Sequence, residues 1–236
     1  MDDFVLILRT CDAFLKYCEG VAYTVEKYYP NHPQMNFLTY KNPDYKLPED
    51  WKKFSMGQDL GIQIWSNGFI EFFKSRPDVK YFLLFFDDMF VLDNVDSDQI
   101  EHLLEMMKKD EKIGKIQLGG SHTTLPYYES VVKDEKYDLV SLSQTVEYRA
   151  STQPAIWRVD YFMKYLRPLQ SPWDYENVHP RNDGYKIYSV RSKRPLSLSH
   201  FFRHGNKFLA DKWFVMDRHQ DNERRRQRNN SKDVKV

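Results

Sequence analysis

The most distinctive hydrophobic pattern in the chain is an unbroken apolar run that ends at two adjacent acids. Residues 81–86 are all aromatic or aliphatic, and Asp87 and Asp88 follow them directly. A run with no polar face is typical of a strand that is buried on both sides of a mostly parallel sheet. Because such sheets bind ligands at the carboxyl ends of their strands, the two acids stand where a divalent cation could be held. The simpler alternative is a strand end whose acids begin a solvated turn.

The first half of the chain alternates between strand-like and helix-like patterns. Apolar residues recur at steps of four and three from Phe14 to Tyr28, which predicts an amphipathic helix. Ser55 and Gln58 form a plausible capping box for a helix that extends to about Arg76, after a loop over 40–51. The predicted order is strand, helix, strand, helix, strand, helix, strand over residues 4–8, 14–28, 35–39, 55–76, 81–86, 100–107 and 113–118. That order predicts right-handed βαβ units and a parallel central sheet.

The second half is less regular, and it contains neither an internal repeat nor a clear domain linker. Its patterns predict strands over 137–142, 152–157 and 185–190, and a helix over 160–169. Ser171 and Pro172 are a strong start for one more helix, with Ser as the cap and Pro at the first helical position. The simplest interpretation is a single α/β domain with a more irregular carboxyl-terminal half.

Composition narrows the class of protein. Aromatic residues make up 16% of the 236 residues, enough for a thick core and for flat surfaces on which bases or sugars can stack. The formal net charge of +1 argues against a general nucleic-acid binder with a basic face. Residues 217–236 hold seven Lys or Arg and four Asp or Glu, so they predict a basic, flexible tail. Docking of this tail onto nucleic acid or an anionic membrane is the less favoured alternative.

The cysteines and the termini favour an intracellular protein. Cys11 and Cys18 would lie two turns apart on a helix, too far for an easy disulfide, so both are expected to be free and buried. Free cysteines are consistent with a reducing compartment. Asp2 and Asp3 do not resemble the start of a signal peptide, and no apolar run approaches the roughly 20 residues that cross a bilayer. We therefore expect a soluble, cytoplasmic protein with no transmembrane segment.

A second group of candidate residues lies in the less regular half. Asp174 and Glu176 fall within about the first turn of the helix that starts at Pro172, where the helix dipole alone could explain them. Their functional interpretation is a carboxylate that removes a proton from an acceptor hydroxyl. Trp157 and Trp173 could form a shelf for the acceptor, although core packing is the expected role of at least one.

Two further segments carry weaker signals. His200 and His204 are spaced for one helical face, but no His-Glu-x-x-His pattern accompanies them, so a zinc-protease interpretation is weak. A single histidine could close a metal shell, and Arg203 with Lys207 could contact phosphates. The turn at residues 10–12 follows the first predicted strand, where a base or ribose would sit. No G-x-G-x-x-G or Walker A pattern is present, which disfavours dinucleotide and P-loop proteins.

Taken together, these segments resemble nucleotide-sugar-dependent glycosyltransferases of the GT-A fold. The likeness is to small single-domain enzymes of bacterial surface-polysaccharide clusters and to domains of large algal-virus glycosyltransferases. It rests on the N-terminal LRTCD turn, the strand into FFDDMFV, the segment QPAIWRVDYF and the segment SPWDYE, within residues 4–210. The resemblance implies one domain over residues 1–216, with a nucleotide-binding half at 1–120 and an acceptor half at 121–216.

The resemblance also implies roles for individual residues. Asp88 would be a ligand of Mn²⁺ or Mg²⁺, Asp87 a ribose or metal contact, and Thr10 and Asp12 would lie near the base and ribose. Apart from the resemblance, His200 is a candidate further metal ligand, and Trp157 and Arg203 are candidate donor contacts. In inverting members an acid near the second motif is the base, which here means Glu176 or Asp174, with Glu176 favoured. The chain reads Phe86-Asp87-Asp88-Met89, so it lacks the spaced pair of a strict D-x-D motif.

The implied reaction moves a sugar, in the hexosyl or deoxyhexosyl class, from a nucleotide-diphosphate sugar to a hydroxyl of a glycan or other acceptor. It would proceed through an oxocarbenium-like transition state, and inversion is the outcome that the resemblance favours. Two alternatives stay open. One is a metal-dependent phosphohydrolase or nuclease, although the sequence has no clear second acidic cluster. The other is a non-catalytic binding module with a basic docking tail.

Overall fold

The secondary structure follows from a computed structural model that describes residues 3–41, 47–118, 128–134, 136–177 and 182–200. For residues 199 and 200 it describes the backbone but not the side chains. The strands are β1 Phe4–Arg9, β2 Met35–Thr39, β3 Lys52–Ser55, β4 Tyr81–Phe86, β5 Met89–Val91, β6 Ile113–Gln117, β7 Tyr128–Val132, β8 Leu139–Leu142, β9 Ala155–Arg158, β10 Lys186–Val190 and β11 Leu198–His200. The α-helices are α1 Cys18–Tyr28, α2 Trp65–Ser75, α3 Ser97–Lys109, α4 Val159–Tyr165 and α5 Pro172–Asn177. Short 3₁₀ turns at Leu15–Tyr17 and Ile62–Ile64 lead into α1 and α2.

Nine of the described strands form one mixed sheet in the order β3-β2-β1-β4-β9-β6-β10-β8-β7. Strands β1, β2, β3 and β4 are parallel to one another, and β6 is parallel to β10. Strand β9 runs antiparallel between β4 and β6, so those two neighbours point the same way. The carboxyl ends of the parallel strands therefore meet at one edge of the sheet, which also receives the chain just before β9.

The sheet separates two apolar layers, which is what an unbroken apolar strand requires. Along β4, Leu83 and Phe85 face the layer that contains α1 and α3, while Phe82 and Leu84 face the layer that contains α2, α4 and α5. Each such side chain stabilises the fold by roughly 1.5–3 kcal/mol when it is fully buried. The run at residues 81–86 is thus explained by burial on both faces, as the pattern predicted.

The first half agrees with the predicted order, with three differences. One is the short strand β5 after the two acids, which was not predicted. The helix predicted from Ser55 begins at Trp65 instead, and Ser55 ends β3, where its hydroxyl accepts a hydrogen bond from Gly57 N–H (3.3 Å). Strand β3 was not predicted, because its exposed lysines carry no apolar alternation. Strand β3 is the outermost strand on one side of the sheet, where charged side chains are tolerated and block pairing with a further strand.

The second half shows why its pattern was less regular. Strands β8 and β9 run against the parallel direction, so no βαβ repeat continues beyond β6. A separate two-stranded sheet joins β5 to β11, with His200 paired opposite Met89. The predicted strands at 137–142, 152–157 and 185–190 and the predicted helices at 160–169 and after Ser171 correspond to β8, β9, β10, α4 and α5, with ends shifted by a few residues.

Two simpler expectations can be compared with the described residues, and a third cannot. Cys11 and Cys18 form no disulfide, as predicted, but Cys11 precedes α1 and is only half-buried. Within the described ranges no helix is long and apolar enough to span a membrane. The predicted tail at 217–236 lies outside the described residues.

Candidate active site

The first half of the site joins the carboxyl ends of β1 and β4. These strands are parallel neighbours, with Arg9 paired to Phe86, so the residues that follow each strand lie side by side. The Thr10 hydroxyl donates a hydrogen bond to Asp87 Oδ2 at 2.7 Å. Behind it, the buried Arg9 guanidinium donates to the Tyr40 hydroxyl at 2.8 Å. The first turn and the acidic motif are therefore in direct contact.

Asp87 is short of compensating positive charge. Burial, together with the negative charge of the adjacent Asp88, raises the pKa of Asp87 to about 6, although the bond from Thr10 opposes the shift. Asp88 is half-buried in the turn between β4 and β5. Two neighbouring carboxylates, of which Asp87 has a raised pKa, form a site that gains from an added cation.

Asp12 lies two residues after Thr10, in the segment that follows β1. Its backbone N–H donates to Asp59 Oδ2 at 3.0 Å, and its carboxylate pairs with Lys41 at 3.1 Å. Asp12 Oδ1 is buried without a hydrogen-bond partner among the described residues. Sequence reasoning missed Asp59, which also accepts from Gly61 N–H at 3.0 Å and so ties the first loop to the start of α2. No local pattern could have found it, because its partner is 47 positions away.

The second half of the site is built on α5. This helix is anchored by Tyr175, which is fully buried against Trp65 and Phe162. The next residue, Glu176, is half-buried, and its Oε1 accepts from Thr152 N–H at 2.6 Å and from the Thr152 hydroxyl at 2.7 Å. The two sequence segments named above thus meet through this pair.

Asp174 has a different environment from Glu176. Its Oδ2 accepts from the Ser171 N–H at 3.0 Å and from the Ser171 hydroxyl at 2.7 Å, while the Ser171 hydroxyl accepts from Asp174 N–H. This reciprocal arrangement is a capping box, and the bond from the Ser171 hydroxyl lowers the pKa of Asp174. Asp174 is exposed at the start of α5, so its contacts are those of a helix cap.

The two tryptophans differ in their exposure to solvent. Trp157 is 0% exposed and stacks with Phe82 at 6.4 Å between ring centroids, inside the layer that contains α2 and α4. In this position its ring packs in the core and presents no face to a ligand. Trp173 on α5 is 61% exposed, three residues before Glu176. Only Trp173 therefore has the exposure that a shelf for an acceptor needs.

The histidine-containing segment is described only in part. The backbone of His200 ends β11 opposite Met89, the residue after Asp88. The side chain of His200, and all of Arg203, His204 and Lys207, lie outside the described residues. Their predicted contacts with metal and phosphate stay predictions.

Sheet topology places both halves at the same edge. Strand β9 is antiparallel to β4, with Leu83 paired to Ile156, so the chain before β9 passes the carboxyl end of β4. Thr152 belongs to that preceding segment, and Asp87 follows β4. The acidic pair and the Thr152–Glu176 pair thus share the edge at which ligands of such sheets bind.

The donor atoms at this edge suit a hard cation. Asp87 and Asp88 supply carboxylate oxygens, the ligand type that Mg²⁺ and Mn²⁺ prefer. Among the described residues no cluster of three or more His, Cys, Asp or Glu could hold a metal ion by itself. A cation at this position would therefore draw further ligands from the bound substrate or from water, as Mg²⁺ commonly does.

Comparison with known proteins shows the fold. The crystal structure of residues 1–349 of TarS from S. aureus has a TM-score of 0.50 and 11% identity over 82% of this chain and 59% of that one. The crystal structure of S. aureus TarS has a TM-score of 0.51 and 10% identity, over 83% of this chain and 36% of the other. A197 from STIV covers 85% of this chain and 86% of its own at 10% identity, but at its TM-score of 0.41 the likeness supports no conclusion.

These comparisons confirm the predicted fold class, a GT-A-like α/β domain with a mostly parallel central sheet. At such low sequence identity, the comparisons show only the fold of the chain. The chain spans 59% of the TarS 1–349 structure and 36% of the longer one, which is less than two thirds of either. No protein-family model matches the chain, and the comparison with curated proteins gives no match.

Proposed function

We propose that the protein is a glycosyltransferase that moves a sugar from a nucleotide-diphosphate sugar to a hydroxyl of a glycan or other acceptor. The observation that carries the proposal is the contact between Thr10 and Asp87, which joins the ends of β1 and β4 at the ligand-binding edge. The fold supports it, because TarS is a glycosyltransferase. A fold can host several functions, so the argument rests on the residues at that edge.

The donor would bind along the carboxyl ends of β1 and β4. A ribose hydroxyl could donate to the orphaned Asp12 Oδ1, a buried acceptor that costs free energy when it has no partner. Asp88 and Asp87 would hold Mn²⁺ or Mg²⁺, since burial and the neighbouring Asp88 charge disfavour the ionised form of Asp87, which a cation would stabilise. The ion, when bound, would neutralise charge on the departing diphosphate. The backbone register brings His200 to the same turn, where its side chain could complete the shell.

Glu176 is the better candidate for the base. Both of its hydrogen bonds from Thr152 end on Oε1, so Oε2 is left to take the proton of an acceptor hydroxyl. Asp174 is engaged in the capping box, which explains that acid without catalysis. In inverting transfer the acceptor oxygen attacks the sugar from the face opposite the leaving diphosphate. A base is therefore needed beside the acceptor hydroxyl, to take its proton during the attack. The exposed Trp173 would offer its ring to the acceptor.

The first test is a thermal-shift screen of UDP-, GDP-, dTDP- and CMP-sugars, each with Mn²⁺ and with EDTA. A donor at 100 times its dissociation constant stabilises the native state by about 2.7 kcal/mol, which is readily detected. We expect one nucleotide family to shift the melting temperature, and the shift to require the metal. Transfer is then measured as release of the nucleoside diphosphate with candidate acceptors.

The outcomes separate the three hypotheses. Release that depends on the acceptor supports a transferase, while equal release without any acceptor supports a hydrolase. If no nucleotide sugar binds either in Mn²⁺ or in EDTA, the proposal is wrong and a binding module becomes the better interpretation.

A further inference from the structure

The core of the protein contains a lysine at a position where an apolar residue would be expected. Lys115 lies on β6 and is 0% exposed, among the largest fully buried side chains of the described residues. It is paired with Trp157 of β9, and its Nζ lies 4.6 Å from the centre of the Trp157 ring. Burial of an amine costs several kcal/mol unless specific partners compensate it. Strand packing alone therefore does not account for Lys115.

The partner of Lys115 connects it to Glu176 through one peptide group. Lys115 Nζ donates to the carbonyl oxygen of Ser151 at 2.6 Å. The N–H of the same peptide group belongs to Thr152 and donates to Glu176 Oε1 at 2.6 Å. The amine and the carboxylate thus sit at opposite ends of one amide dipole, and each strengthens the hydrogen bond that the other makes. The Thr152 hydroxyl adds a second bond to the same oxygen.

Two charged groups, Glu176 and Arg149, affect the pKa of Lys115. Burial lowers the pKa of Lys115 to about 7, while the negative charge of Glu176 opposes that shift and the positive charge of Arg149 adds to it. Arg149 is itself buried and lies 3.5 Å from Asp183, so its charge has a partner of its own. Lys115 is consequently a cation below about pH 7, and Glu176 is the acid whose negative charge acts on it.

We infer that Lys115 is a positioning residue, which holds the Ser151–Thr152 peptide group and places a positive charge across it from the Glu176 carboxylate, so that Glu176 stays oriented for proton removal. The inference rests on the proposed role of Glu176 as the base. It adds a residue that touches neither donor nor acceptor but acts on the base through the backbone.

The coupling can be measured without any activity. Selective ¹³C labelling of lysine allows the pKa of Lys115 to be followed by NMR in the wild type and in two variants. The negative charge of Glu176 raises the pKa of Lys115. Glu176→Gln removes that charge, so the pKa of Lys115 should fall by roughly half a unit or more. Asp174→Asn is the matched control, since it removes a charge two residues earlier on α5 but has no contact with Thr152. An equal pKa of Lys115 in all three proteins overturns the inference.

The catalytic consequence is read from the pH profile. Lys115→Met keeps the length of the side chain and removes the charge, so the acidic limb of kcat should move up by roughly half a pH unit or more. Donor-induced stabilisation at neutral pH should be unchanged. A lysine with a purely structural role would lower kcat equally at every pH. An acidic limb that stays in place therefore overturns the inference, even where the NMR titration shows coupling.

The two readouts also separate this inference from the proposed function. If Lys115→Met does not fold, the NMR titration of Glu176→Gln decides the inference with Lys115 intact. If the wild type transfers no sugar, the proposed function fails, whereas the presence or absence of coupling is still reported by the titration.

Discussion

At the scale of single residues, the two acids of α5 illustrate how contacts separate residues that a pattern cannot. Asp174 and Glu176 are both near the start of the helix, and the dipole favours either. Their hydrogen bonds differ: Asp174 closes a capping box with Ser171, and Glu176 reaches Thr152 on another segment. A local role and a role across the site follow from these partners.

This difference predicts opposite effects of two conservative substitutions. Glu176→Gln should lower kcat by about 10²- to 10⁴-fold, the usual contribution of a general base, while donor-induced stabilisation is kept. Asp174→Asn should keep transfer but lower the free energy of unfolding, because the capping box is weakened. Steady-state kinetics and urea unfolding of both variants provide the check. Loss of transfer in Asp174→Asn, with Glu176→Gln active, would reverse the assignment.

The acidic motif gives a second prediction at this scale. Asp88→Ala should abolish transfer and leave the fold intact, because the proposed cation loses a ligand while a half-buried turn residue contributes little to packing. The expected signature is loss of the metal-dependent part of the donor shift, with an unchanged melting temperature in EDTA. Asp93→Asn, an exposed acid shortly after β5, is the control for charge removal. Wild-type activity in Asp88→Ala would rule out the metal-site assignment.

At the scale of elements, close packing rather than periodicity determines where the second layer meets the sheet. Gly114 on β6 lies directly under the ring of Tyr161 on α4: a Cβ at Gly114 would come within 2.5 Å of that ring. The absence of a side chain at residue 114 thus lets α4 pack against the strand that carries Lys115. Sequence alone did not indicate this role, because a glycine within a strand has several explanations.

The contact predicts that Gly114→Ala is destabilising. The added methyl would force the buried Tyr161 ring or β6 to move, and such overpacking costs about 1–3 kcal/mol. Gly68→Ala is the matched control, since its Cβ meets Sδ and Cγ of the flexible Met56 side chain, which can move. Its cost should be smaller, because alanine also favours the helix. Urea unfolding of the two variants tests the difference, and equal stability would contradict it.

At the scale of the whole molecule, the buried lysine links stability to pH. The pKa of Lys115 is lowered from 10.5 to about 7 in the folded protein. Between these values the unfolded chain binds a proton that the folded chain does not, so the free energy of unfolding rises with pH. For one group the slope is at most about 1.4 kcal/mol per pH unit. Below about pH 7 the folded state carries the full cost of a buried charge.

The whole-molecule prediction compares wild type with Lys115→Met from pH 6 to 9. The variant should be the more stable protein at pH 6, because an apolar side chain of similar length replaces a buried cation. Its advantage should shrink as pH rises, since the wild-type amine becomes neutral. Melting temperatures of both proteins across this range give the answer. An advantage that is constant with pH would show that Lys115 does not change protonation on unfolding in this range.

Sequence patterns determined the parts of this protein that depend on neighbours along the chain. The buried strand at 81–86, the alternation of strands and helices up to β6, and the capped start of α5 all follow from local burial and capping. These features are readable because one residue and those a few positions away contain the whole physical cause. The position of Asp87 and Asp88 at a strand end belongs to the same class.

Tertiary structure alone decided which distant residues meet. The pairs Thr10–Asp87, Asp12–Asp59 and Thr152–Glu176 are separated by 77, 47 and 24 positions, respectively. The antiparallel insertion of β9 brings the third pair to the edge that holds the first, and it buries Trp157, which lies on β9. Such contacts depend on strand order and register, which are set by packing over the whole sheet and leave no periodic trace in the sequence.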